Sequence, residues 1–364
     1  MRVLNFAGGP AQLPEEVLRE AQDALWELDA TGVGVLETGH RTPAFDRILA
    51  DAIRDIRAAG DIPDSHEVLF IPGGAHMAWA LLPLNALQLG DRADFIDTGT
   101  FPTRAHADAV RTASLSGAQA RTVWSGREAN YAALPTDGDL PDCAGARYVH
   151  YCSNNTIEGT QWRQPPHVAA PLVCDATSEI LSRPWPYARH AMVMAAAQKN
   201  LGIAGIAIAV VHREFLESMR DDLPVSLNLR ALHAQGNRVN TPPVFAIWMC
   251  GRMAAWILRN GGVQAMADRN QQKAAAVYRA LDECAPFYTG AARPHDRSVL
   301  NVSFRCATPA LDKAFVSEAA THGMVGLEGH RTAGGIRASM YNAMPLSAAH
   351  TLADFMRQFA ARMG

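Results

Sequence analysis

Six apolar runs between residues 67 and 211 constrain this chain more than any other feature. They are "EVLFI" (67–71), "ADFIDTG" (93–99), "RYVHYC" (147–152), "PLVCD" (171–175), "AMVMAAA" (191–197) and "GIAIAVV" (205–211). A short run this apolar leaves little solvent face, so each reads as a strand, and the last four as buried ones. Helix-like segments stand between several of them. "AHMAWALLPLNAL" follows the first run, and "AHADAVRTA" follows the second. Strands of this kind pack as a mostly parallel sheet with helices on both faces, which makes the expected class α/β. Two helices come before the first run. In "LPEEVLREAQDALWELD", Pro14 suits a first turn, and Val17, Leu18, Ala21, Leu25 and Leu28 recur at helical spacing. "PAFDRILADAIRDIRAAG" repeats the pattern and stops at Gly60.

The chain changes character near residue 260. "AIWMCGRMAAWILRNGG" reads as a helix ended by two glycines, and "VQAMADRNQQKAAAVYRALDEC" as a long helix after it. A strand "SVLNVSFRC", a helix "ALDKAFVSEAATHG", a strand "GIRASMY" and a final helix "SAAHTLADFMRQFAARM" complete the tail. The expected division is a large domain over 1–260 and a smaller α+β domain over 261–364, with the first residues packing against the small domain. With 364 residues, two domains are the natural expectation.

Composition removes several classes of function. A net charge of −3 lacks the basic footprint of a nucleic-acid binder. No run of eighteen apolar residues is present, so no membrane span is expected. "MRVLNFAGGP" has no apolar signal-peptide core, and the expected location is cytoplasmic. The six cysteines are scattered without a C-x-x-C pair, which argues against a zinc site or a disulfide framework and fits a reducing compartment.

One charged residue interrupts an apolar, small-residue stretch. "AAAQKNLGIAG" (195–205) places Lys199 just after a strand. A lysine there is ordinarily a solvated turn residue. Flanking residues this apolar would desolvate its amine, and a desolvated lysine is a nucleophile that forms Schiff bases with aldehydes such as pyridoxal phosphate (PLP). Such a site also needs an acid for the pyridinium proton, a cup for the phosphate and a flat neighbour for the ring. Asp175 ends a strand and would serve as the acid, or simply cap a helix. "PGGAH", Pro72 to His76, is a glycine turn entering a helix, where backbone N–H groups can hold a phosphate. Phe101 begins another helix and could stack on a ring or pack in the core. No G-x-G-x-x-G follows a strand, which argues against a dinucleotide site. Two His-Arg pairs, His40–Arg41 and His330–Arg331, follow glycines and suit a phosphate or carboxylate. Arg337 lies in a strand-like stretch, where a guanidinium needs a fixed anion such as a substrate α-carboxylate.

At this point a family resemblance emerges. "FAGGPAQLP", "GHR", "VHYCSNNTIEG", "CDATSEILSRP", "AQKNLGIAG", "NTPPVFA" and "GHRTAGGIRASMYNAMP" resemble, in order from residue 5 to 345, the motifs of phosphoserine aminotransferases. The resemblance implies a fold-type I, PLP-dependent homodimer with shared active sites. It implies transamination between O-phosphoserine with 2-oxoglutarate and 3-phosphohydroxypyruvate with glutamate, in serine synthesis and in some bacteria also in the PLP route. It makes Lys199 the Schiff-base lysine and Asp175 the partner of the pyridinium nitrogen. Phe101 takes the ring-stacking place, and Thr156 contacts the phenolic oxygen. Gln198, Ala75 and His76 hold the cofactor phosphate, joined by Asn240 and Thr241 from the partner subunit. His40, Arg41, His330 and Arg331 bind the distal anion, some of them across the dimer, and Arg337 takes the α-carboxylate. No metal is implied.

The sequence departs from the family pattern twice. "GGAH" (73–76) stands where "GGGR" is usual, and Phe101 stands where many relatives have Trp. Both bear on cofactor affinity rather than on the reacting groups. Three rival readings share features with this one. A cysteine desulfurase needs a loop cysteine, and the late Cys306 ends a strand-like run. A serine–glyoxylate type aminotransferase has no need of two His-Arg pairs. A PLP carrier without catalysis has no need of both Lys199 and Asp175.

Overall fold

The computed structural model describes residues 2–364. Its centre is a seven-stranded sheet. The strand order is His66–Pro72, Ile206–His212, Met192–Ala196, Leu172–Asp175, Tyr148–Cys152, Arg92–Asp97 and Gln119–Ser125. All six apolar runs are strands of this sheet. Five adjacent strands, from Met192–Ala196 to Gln119–Ser125, pair in parallel. Ile206–His212 runs antiparallel to both of its neighbours. Residues 197–205 are its only link to the Met192–Ala196 strand. A parallel crossover takes about a dozen residues or more, so this link can only turn the chain back. Lys199 sits in that turn.

Both faces of the sheet are buried, and the side chains alternate between two cores. Val68, Phe70, Tyr151, Cys174, Val193 and Ile208 face one core, which the helices Pro43–Gly60 and Val244–Arg259 cover. Leu69, Ile71, Phe95, Val173, Met194 and Ala209 face the other, covered by Ala75–Ala86 and Thr100–Ser116. This period of two within wholly apolar strands is what a doubly covered sheet requires.

The seventh strand, Gln119–Ser125, is absent from the sequence expectation. It lies at the sheet edge and is mostly half-buried or exposed, so its sequence carries no apolar run. Arg121 on this strand reaches back to the buried Asp94 at 2.6 Å.

A third core gathers the C-terminal elements. The three-stranded sheet Tyr288–Gly290, Asn301–Cys306 and Ile336–Ser339 packs with the helices Gly262–Glu283, Pro309–Thr321 and Leu346–Met363. The N-terminus joins it: Leu4–Asn5 pairs in parallel with Met324–Val325, and Phe6 is fully buried there. The Gly262–Glu283 helix touches two cores, because Met266 belongs to the first and Val277 to the third.

Candidate active site

Six strands of the large sheet point the same way, and five of them converge on one site: His66–Pro72, Arg92–Asp97, Tyr148–Cys152, Leu172–Asp175 and Met192–Ala196. Their carboxyl ends deliver residues to one edge, the usual ligand position in open α/β sheets. A cavity of about 510 Å³ opens there. It is lined by Ala75, His76, Phe101, Thr156, Asp175, Gln198, Lys199, His330 and Arg337, all expected from the sequence.

Lys199 is 8% exposed, and its Nζ lies 5.3 Å from the centroid of the Phe101 ring. Asp175 is 3% exposed. Its Oδ2 accepts the Trp79 indole N–H at 2.8 Å, and its Oδ1 accepts the Thr177 backbone N–H at 2.9 Å. The carboxylate therefore does cap the turn that follows, and it faces the cavity as well.

The helix Ala75–Ala86 begins at the cavity, with Gly74 as its N-cap and no side chain capping it. The first backbone N–H groups of a helix lack intrahelical partners and attract an anion. His76 packs edge-on against Trp79 at 4.5 Å, and its Nδ1 lies 3.4 Å from Asp108 Oδ2.

Across the cavity, the N-terminal segment passes between Arg337 and Lys199. A Cβ on Gly8 would lie 2.2 Å from Arg337 Nη2, and one on Gly9 would lie 3.5 Å from Lys199 Cγ. Gly9 also has φ +138°, which disfavours any side chain. The Tyr341 hydroxyl donates to the Gly8 carbonyl at 2.9 Å, and the Ala11 N–H donates to the Gln198 carbonyl at 2.8 Å. Arg337 Nε is buried without a hydrogen-bond partner among the described residues. A guanidinium in that condition is suited to an anionic ligand. Burial, and then the charges of Arg337, Arg104 and Arg331, hold the His330 imidazole below its ordinary range.

The single chain leaves five of the expected residues outside this cavity. His40 and Arg41 lie in the turn before the Pro43–Gly60 helix, which the Thr42 hydroxyl caps by accepting from Phe45 N–H at 3.3 Å. Asn240 and Thr241 are exposed just before Pro242, and Arg331 is exposed beside His330.

Several lining residues carried no role in the sequence reading: Gly8, Gly9, Trp79, Cys152, Asn154, Thr177 and Ser178. Trp79 was findable, because it lies one helical turn beyond Ala75 and so on the same face. Cys152, not Cys306, is the cysteine of the cavity. It ends a strand, and burial pushes its thiol well above the ordinary range, so it stays protonated and is a poor nucleophile.

The residues fit a PLP-type cofactor by their own chemistry. An amine, a buried carboxylate and an uncapped helix N-terminus line one cavity, and an unpaired guanidinium closes it. Comparison with known proteins agrees. The Aminotransferase class-V family model matches residues 3–351. The phosphoserine aminotransferase of Shouchella clausii is 41% identical over 98% of this chain and 96% of its own length. The solved phosphoserine aminotransferase of Bacillus circulans subsp. alkalophilus is 35% identical, with a TM-score of 0.95 over 100% of this chain and 99% of that one. The PLP-bound phosphoserine aminotransferase of Trichomonas vaginalis is 31% identical, with a TM-score of 0.92 over 98% of this chain and 100% of that one. The chain belongs to the class-V aminotransferases and, among them, to the phosphoserine aminotransferase family.

Proposed function

We propose that this protein is a fold-type I, PLP-dependent phosphoserine aminotransferase serving serine synthesis. It interconverts O-phosphoserine plus 2-oxoglutarate with 3-phosphohydroxypyruvate plus glutamate. The observation that carries this reading is the convergence of Lys199, Asp175 and Arg337 on one cavity in a chain of this family.

PLP, when bound, supplies an electron sink for the bonds at the substrate Cα. The chain's own groups do the rest. Lys199 Nζ would hold the cofactor and, as a free amine, would move a proton on and off the substrate Cα. Asp175 would pair with the ring nitrogen, and its hydrogen bonds from Trp79 and Thr177 fix its direction for that task. Phe101 would cover the ring, and Thr156 and Gln198 would position the cofactor. The uncapped N-terminus at Ala75 and His76 takes the cofactor phosphate. Arg337 grips the α-carboxylate with its two-pronged fork. His330 and Arg331 take the distal anion, which is a carboxylate in one half-reaction and a phosphate in the other. A histidine that can gain or lose a proton suits both.

The active unit is a homodimer in this reading. Trp26 is 88% exposed and Leu36 is 66% exposed, close in sequence to the His40–Arg41 turn. Large apolar side chains left this open favour a covering surface. A second copy would bring His40, Arg41, Asn240 and Thr241 to the cavity that their own chain leaves without them. The division of the chain into a large domain over 1–260 and a small domain over 261–364 belongs to the same reading. No helix among the described residues is long and apolar enough to cross a membrane, and all six cysteines are unpaired. The unpaired cysteines support the cytoplasmic location of this reading. A second role in pyridoxine synthesis would use the same cup for a phosphorylated hydroxythreonine.

A coupled assay tests the reading. Turnover of phosphoserine with 2-oxoglutarate should far exceed turnover of serine. Borohydride reduction should attach the cofactor to the Lys199 peptide, and Lys199→Ala should lose at least ~10²-fold in rate. Equal rates with serine would point to a serine–glyoxylate type of enzyme instead.

A further inference from the structure

Arg104 has no place in the account so far. It lies on the Thr100–Ser116 helix, three residues after Phe101, and is half-buried. Its guanidinium carbon is 5.8 Å from the centroid of the Phe101 ring, which is part of the cavity wall. Arginines elsewhere in the molecule meet carboxylates, as Arg121 meets Asp94 at 2.6 Å and Arg297 meets Asp282 at 2.7 Å. Among the described residues, no ion pair involves Arg104, Arg331 or Arg337. All three guanidinium groups act on His330 through their charge. Positive charge therefore gathers around His330, with no ion pair to a protein anion among the described residues. Such an excess attracts an anionic ligand. Arg337 is committed to the α-carboxylate. The remaining charge comes from two directions: Arg104 from the Thr100–Ser116 helix, and His330 with Arg331 from the loop before Ile336.

We propose that Arg104 is a specificity-determining residue of this enzyme, holding the substrate's distal phosphate from within the same chain, opposite His330. The proposal rests on the phosphoserine aminotransferase reading above. A phosphate monoester carries close to two negative charges at neutral pH, and a side-chain carboxylate carries one. An added cation therefore favours phosphoserine over glutamate, and both over alanine, which has no distal anion.

Steady-state kinetics of Arg104→Gln and Arg104→Lys in the holoenzyme, with phosphoserine, glutamate and alanine as donors, provide the test. Loss of one charge-assisted contact should lower the phosphoserine-to-alanine ratio of kcat/KM by about ten-fold or more in Arg104→Gln. The glutamate-to-alanine ratio should fall less, and Arg104→Lys should lie between wild type and Arg104→Gln. Unchanged ratios would overturn the proposal. So would an equal loss for all three donors, which would mean that Arg104 acts through its packing on Phe101. Wild-type turnover of phosphoserine separates the two levels of failure. If it is present and the ratios do not move, only the role of Arg104 falls. If it is absent, the functional reading falls and takes this proposal with it.

Discussion

Trp79 donates its indole N–H to Asp175 at 2.8 Å, so a residue on the helix after the first sheet strand orients the carboxylate ending another. The indole N–H fixes the direction of the carboxylate, which the proposed function places against the cofactor nitrogen. Trp79→Phe removes the donor but keeps an aromatic ring in place. Hydrogen bonds to charged groups contribute about 1.5–3 kcal/mol, so kcat should fall about ten-fold. Asp175→Asn should fall further while still retaining cofactor. Rates would be measured at saturating donor, with bound PLP determined separately. A Trp79→Phe enzyme with full kcat would reduce the contact to packing.

Gly8 presses on Arg337. A Cβ there would come within 2.2 Å of Nη2 and 2.4 Å of Cζ, inside any allowed contact. The guanidinium is the movable partner, so Gly8→Ala should push it off its position rather than unfold the chain. KM should rise about ten-fold for every amino donor, since all share the α-carboxylate. The melting temperature should change little. An unchanged KM would show that Arg337 has room to re-form its fork.

Lys273 is fully buried and donates to the carbonyls of Met340 at 2.9 Å and Tyr341 at 2.7 Å. Burial, with a smaller push from Arg269, pulls its ammonium down to about 7. The folded value lies below the unfolded one. Between about 7 and the ordinary lysine value, the unfolded chain therefore holds more protons, and this group's contribution to stability rises with pH. The slope is at most ~1.4 kcal/mol per pH unit. Urea denaturation at several pH values across that window should show a steeper rise in wild type than in Lys273→Met. Parallel curves would contradict the assignment.

The sequence made the sheet legible because its inner strands are apolar on both faces. "EVLFI" lies within His66–Pro72, and "GIAIAVV" overlaps Ile206–His212. Strand direction was hidden, since an apolar run looks alike in either sense. Only the short link at 197–205 fixes it. The edge strand Gln119–Ser125 was invisible because solvent lets it carry Arg and Thr. Lys199, Asp175 and Arg337 stood out as polar groups among apolar neighbours. Trp79 did not, because a tryptophan in "AHMAWALLPLNA" looks like one more core residue. Gly8 and Gly9 were read only as part of a motif. Their reason is steric, and it appears only when Arg337 and Lys199 are placed on either side of them.

Sharing of the active site between two chains has a test that depends on symmetry rather than on any one contact. Thr241 is exposed, precedes Pro242–Pro243 and the Val244–Arg259 helix, and lies outside its own chain's cavity. Residues just before a helix offer donors to an anion, here the cofactor phosphate of the partner's site. Thr241→Glu places a negative charge there and should inactivate whichever site it faces. Lys199→Ala inactivates its own site. If Thr241 acts within its own chain, a hybrid dimer of the two variants carries one lesion in each site and is dead. If it acts across the interface, one hybrid site carries both lesions and the other carries none. Random mixing in equal amounts makes about half of the dimers hybrid, so roughly a quarter of all sites should regain activity under two-fold symmetry. Co-expression with two different tags isolates the hybrid, whose activity should then be about half that of wild type. An isolated hybrid with no phosphoserine turnover would place Thr241 in its own chain's site, and the shared phosphate cup would have to be abandoned.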